Sequence, residues 1–144
     1  MKTRTLLVSA FLFLSALYAP LAAAQANPWS RTVTAPNIYS AGTDNSQFFS
    51  APSSLLNSNT ITNVAWNVGL YSNGATIQTI HVCYTPYYGG SAICENISNN
   101  RNGSSHIFDG YPAKGEYRIT YNLTGGGTYP AYPSFSNTLT VTWQ

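Results

Sequence analysis

The side chains best suited to do chemistry in this sequence are two cysteines, Cys83 and Cys94, and two histidines, His81 and His106. His81 and Cys83 are two positions apart, so on an extended strand they share a face. Together with Cys94 and His106 they supply four residues of the types that ligate zinc. The competing chemistry is a bridge between the cysteines. The spacing of the four residues is irregular for a zinc site, whereas an even cysteine count in an exported chain implies a disulfide. A Cys83–Cys94 disulfide is therefore expected, with no metal and no cofactor. Closing a loop of this length stabilises by about 3 kcal/mol in the chain-entropy model.

Catalytic patterns are weak. His106 stands close to Asp109 and serines are plentiful, but a hydrolase needs nucleophile, base and orienting group to converge, and no Gly-x-Ser-x-Gly elbow is present. The acids beyond residue 24 are Asp44, Glu95, Asp109 and Glu116, and nothing in their spacing marks a glycosidase pair. Gly125-Gly126-Gly127 lacks the Lys-Ser/Thr of a phosphate-binding loop and reads as a tight bend. The expectation is a protein that is not an enzyme. Tyrosines in turn-rich stretches give the stronger signal. Tyr84, Tyr87 and Tyr88 surround a Pro/Gly turn, and Tyr129 and Tyr132 stand in a later Pro/Tyr segment. Such side chains offer an apolar face with a polar tip and suit protein contact or sugar stacking, so these five form the expected interaction surface.

The elements that must position these residues read as strands. Residues 77–97 form a hairpin: Ile80, Val82 and Tyr84 fall on one face of the first arm and Thr79, His81 and Cys83 on the other. Period-two alternation recurs at Val64, Trp66, Val68 and Leu70, at Tyr117, Ile119, Tyr121 and Leu123, and at Leu139, Val141 and Trp143. Asn27 to Val33 reads as a first strand, residues 37–59 as loop with one short strand at Phe48-Phe49, and Ile107-Phe108 as a short strand. Residues 96–105 read as an irregular loop, and Ser72-Asn73-Gly74 as a turn. No stretch beyond the leader has helical periodicity. The expected fold is all-β: a small antiparallel β-sandwich or barrel-like domain with one intra-hairpin disulfide.

Lys2 and Arg4, an apolar run from Leu6 to Leu17, and the small residues before position 25 predict a cleaved signal peptide over 1–24 and a single β domain over 25–144. The apolar run is shorter than the roughly 20 residues of a spanning helix, and no later segment could hold the chain in a membrane. Past residue 24, four basic residues face four acidic ones, which excludes the basic patch that nucleic acid or an anionic lipid surface requires. Only 7% of the sequence is charged, against roughly 25% in a typical domain, so Ser, Thr, Asn and Tyr must cover the surface. An aromatic content of 14% nevertheless calls for a packed core.

The order of Trp29, Ser50-Ala51-Pro52, Val64-Ala65-Trp66, Cys83, Cys94, Gly125-Gly126-Gly127, Pro130-Ala131 and Ser136-Asn137 resembles the periplasmic flagellar protein FlhE family over Trp29 to Trp143. The resemblance implies an exported, non-catalytic β protein of the periplasm. It would serve flagellum assembly through an export-apparatus or subunit-chaperone role, with flagellar export or structural proteins as partners. The family spaces its cysteines more closely, so residues 85–91 read as an insertion at the hairpin tip. Two alternatives fit the same features: a fimbrial or adhesive subunit, and a secreted carbohydrate-binding β-sandwich. The first would lack a strand and borrow one. The second would use Tyr87, Tyr88, Tyr129 and Tyr132.

Overall fold

A computed structural model describes residues 27–72 and 75–144. The predicted leader and the centre of the predicted 72–74 turn lie outside these residues. Among the described residues there are eight strands: β1 (Asn27–Val33), β2 (Asp44–Ser50), β3 (Ile61–Asn67), β4 (Ile77–Pro86), β5 (Ile93–Asn96), β6 (Asn102–Ser105), β7 (Gly115–Thr124) and β8 (Asn137–Trp143). They form two four-stranded antiparallel sheets, ordered β1-β8-β3-β6 and β2-β7-β4-β5. The all-β sandwich expected from the sequence is the fold observed. No helix among the described residues is long and apolar enough to cross a membrane.

Alternation explains the packing. The inward residues of β7, Tyr117, Ile119, Tyr121 and Leu123, are fully buried, as are Ile80, Val82 and Tyr84 of β4 and Leu139 and Val141 of β8. In β3 the parity breaks, since Ile61, Val64 and Trp66 all face the core. A register shift between Ile61 and Asn63 supplies the extra residue, as a β-bulge does. The longest ladder is β4 on β7, from Ile77 opposite Thr124 to Pro86 opposite Gly115. A Cβ at Gly115 would collide with the Tyr84 ring and the Thr85 carbonyl, so this corner requires glycine. β7 ends at Thr124, and at the Gly125 that follows φ is +89° and a Cβ would strike Thr76; the bend predicted for the triple glycine lies there.

The structure corrects three readings. Residues 102–105 form strand β6, although Asn-Gly-Ser-Ser has no apolar alternation; the strand is held by pairing with β3 rather than by side-chain burial. Ile107-Phe108 is not a strand. It lies in the turn after β6, where Phe108 is buried while Ile107 stays exposed. The strand predicted to reach Leu70 ends at Asn67. The Val68 amide still bonds the Arg101 carbonyl in register with β6 (2.8 Å), but the Gly69 amide turns to the Asn137 side chain, and Leu70 is exposed.

A buried amide relay closes one end of the sandwich. Asn137, fully buried, accepts from the Gly69 amide through Oδ1 (3.0 Å) and donates through Nδ2 to Gln47 Oε1 (2.7 Å). Gln47 Nε2 donates onward to the Thr34 carbonyl. The relay joins β8 of one sheet to β2 of the other.

Candidate interaction surface

Cys83 and Cys94 are cross-strand partners of β4 and β5, and a disulfide joins them; no free cysteine is present. The bridge lies on the outer face of the second sheet, on the side opposite Ile80, Val82 and Tyr84, as the alternation of the first arm predicts. Both thiols being taken, the zinc arrangement has lost its sulfur ligands. His81 stands on the outer face of the second sheet, and His106 in the turn after β6 of the first. Among the described residues no group of three or more His, Cys, Asp or Glu side chains is arranged to hold a metal ion.

The strand registers sort the tyrosines between the two ends of the sandwich. The connection after β4 lies beside Gly115 at the start of β7, whereas residues 125–136 follow the opposite end of β7. Tyr87 and Tyr88 therefore stand at one end, and Tyr129 and Tyr132 at the other. Tyr84 is no surface residue at all. It is buried, donates from its hydroxyl to the Pro112 carbonyl, and packs on Tyr117 (4.9 Å between ring centroids). Burial, and then the Tyr88 and Tyr87 phenols, push its own phenol above the usual range. The reason is positional: Tyr84 has the strand parity of Ile80 and Val82, which outweighs its closeness to the turn. Tyr129 is half-buried against the core and its hydroxyl reaches the Leu123 carbonyl at 3.5 Å. Tyr132 is exposed.

At the hairpin end an inner aromatic cluster supports an outer one. Trp29 meets Tyr117 edge-on at 5.3 Å, Tyr117 packs on Tyr84, and Tyr84 reaches Tyr111 at 6.2 Å near the surface. Outside it Tyr87 and Tyr88 contact each other edge to face at 5.4 Å and remain 47% and 64% exposed, large apolar area left uncovered on a rigid support. Beside them runs an open groove of about 340 Å³. Phe48, Pro52 and Tyr87 give it an apolar lining, and Lys114 and Glu116 give it one charge of each sign. Phe48, 53% exposed, lines this groove and is not among the five tyrosines expected from the sequence. Its signal was the pair Phe48-Phe49 in a strand, where only one of two neighbours can face the core. The opposite end exposes Tyr39, Leu70, Ile77, Tyr132 and Phe135.

His106 and Asp109 do pair. His106 Nδ1 lies 2.8 Å from Asp109 Oδ2 and 3.0 Å from the Thr62 carbonyl, so the ring donates from Nδ1. No serine hydroxyl bonds to this ring among the described residues, and the pair lacks the nucleophile of a triad. The Asp109 hydrogen bond, its charge and the Thr62 carbonyl raise the imidazole above its ordinary value. The sign follows: the pair contributes to stability below the ordinary histidine value of about 6.5, and the contribution is lost as pH rises through the elevated one. NMR titration of the His106 ring should place its midpoint above that of a model peptide, and Asp109→Asn should bring it back down. A midpoint unmoved by Asp109→Asn would show that the contact does not persist in solution.

No protein-family model matches the sequence, and no curated protein matches it. Among solved structures the chain is similar to the crystal structure of FlhE, with a TM-score of 0.67 and 22% identity, over 84% of this chain and 99% of that one. The two proteins share a fold across nearly the whole of FlhE.

Proposed function

We propose that this chain is a non-catalytic accessory protein of bacterial flagellum assembly. In this reading it is exported to the periplasm by its N-terminal leader and acts by binding export-apparatus or structural subunits, as a chaperone for them or as a partner of the apparatus. The FlhE-like fold supports the setting. The observation that carries the binding role is the Tyr87/Tyr88 pair beside the Phe48 groove: exposed aromatic rings on a disulfide-braced hairpin, next to an apolar trough with one cation and one anion at its rim. Aromatic anchors beside a pocket are the features that dominate protein interfaces.

Deletion of the gene should disturb swarming and the placement or number of filaments, and wild-type protein should restore both. Used as bait in the periplasm of motile cells, the mature chain should retain flagellar rod, filament or export components. A Tyr87→Ser/Tyr88→Ser double variant should lose roughly 10-fold or more in affinity, as loss of an interface hot spot does. Normal motility in the deletion strain would overturn the flagellar role. Full retention by the double variant would move the contact to the opposite end of the sandwich.

A further inference from the structure

The outer face of the second sheet holds a feature separate from the groove proposed above for partner binding. A depression of about 250 Å³ opens directly over the disulfide, lined by Asp44, His81, Cys83, Cys94, Arg118 and Thr120. The two sulfur-bearing residues differ sharply in access. Cys94, on the four-residue edge strand β5, is exposed, whereas Cys83 is only 3% exposed. Cys83 has Arg118 as its cross-strand partner on β7, and His81 lies two positions away on the same face. Asp44, the one carboxylate of the depression, already accepts from Asn122 Nδ2 at 2.7 Å. Arg118 Nε is shielded from solvent and has no hydrogen-bond partner among the described residues. A guanidinium whose Nε has no such partner therefore stands on the residue opposite the buried sulfur, and a small open space leads to the exposed one.

We propose that Cys83–Cys94 is an exchangeable disulfide that reacts with a low-molecular-weight thiol, with Cys94 as the sulfur attacked and Cys83 as the leaving group. The incoming thiolate enters the depression and bonds to Cys94 Sγ. The Cys83–Cys94 bond breaks, and its electron pair leaves on Cys83 Sγ. Arg118 stabilises that charge, and departure is faster for a better-stabilised thiolate. A second equivalent of thiol then attacks the sulfur bound to Cys94 and leaves as its own disulfide. Cys94 takes up a proton, and the protein disulfide has gained the two electrons lost by the thiol. Reduction removes the cross-link that pins β5 to β4 away from the 87–92 connection, so the edge of the second sheet beside the hairpin tip loosens.

The test uses the full folded chain and reduced glutathione. After brief exposure and an acid quench, free thiols are blocked with N-ethylmaleimide and peptides are mapped by mass spectrometry. The expected product carries glutathione on Cys94 and maleimide on Cys83. Arg118→Gln should slow the second-order rate about fivefold through the poorer leaving group, and Arg118→Lys should restore most of it. Circular dichroism reports whether each variant is folded, and the position of the adduct on the wild-type chain decides the assignment without either variant. Glutathione on Cys83, or resistance of the folded protein under conditions in which the urea-unfolded chain reacts fully, would overturn the proposal. So would a folded Arg118→Gln variant reacting at the wild-type rate.

Discussion

Replacing Tyr117 with alanine should destabilise the domain by about 4 kcal/mol, within the range for deleting a buried aromatic ring. Tyr117 is completely buried, stands between Trp29 at 5.3 Å and Tyr84 at 4.9 Å, and donates from its hydroxyl to the Ala113 carbonyl at 2.8 Å. Burial, and then the Tyr84 phenol, hold its own phenol protonated well above the usual tyrosine range, so the hydrogen bond persists through any neutral or mildly alkaline pH. Truncation removes two ring contacts and leaves a cavity between the sheets that β-strand backbones cannot close by collapsing. Tyr117→Phe separates the terms. It keeps the ring and removes only the hydrogen bond, at about 1 kcal/mol. Urea unfolding of both variants measures the two values. A loss below about 1 kcal/mol for alanine would show that the ring is not seated between the sheets.

Asn137→Ala should cost about 3 kcal/mol, although the residue carries no charge and little apolar area. Its amide is the hub of the relay between the sheets, so truncation leaves the Gly69 N–H and the Gln47 carbonyl oxygen buried together with no partner. The cost comes from those stranded groups more than from the lost bonds. A double-mutant cycle with Gln47→Ala tests this directly. With Gln47 also truncated, one stranded group disappears, and the two costs should fall short of additivity by about 1 kcal/mol. Strict additivity would show that the side chains do not interact.

The contrast between these residues shows what the sequence makes legible. Tyr117 sits in a run whose alternation alone places it inside, as it does Ile119, Tyr121 and Leu123. Asn137 and Gln47 break the rule that buried residues are apolar, and only the meeting of two sheets gives them partners. The same limit hid β6. Asn-Gly-Ser-Ser carries no pattern because its strand character comes from the backbone of β3, aided by Trp66 Nε1 donating to the Asn100 carbonyl at 2.7 Å. The disulfide was legible from the even cysteine count of a chain with a predicted leader and from the facing arms of the hairpin. The placement of the five tyrosines was not legible. Five tyrosines share a residue type, yet strand parity buries Tyr84, and strand direction sends Tyr129 and Tyr132 to the end opposite Tyr87 and Tyr88. Sequence distance carries neither piece of information.

The strand order of the first sheet bears on when the protein can fold. β8 lies between β1 and β3, so neither of those strands has its main neighbour until residues 137–143 have been made; Asn27 must wait for Trp143. Pairings this distant are slow to form, because the intervening chain must be ordered first. A ribosome delivers β1 first and the strand at the centre of its sheet last. Until then β1 has no partner in its sheet and β3 has only the short β6. In the export proposed above, that order keeps the sheet from closing before the chain has crossed, because β8 arrives after the strands it joins.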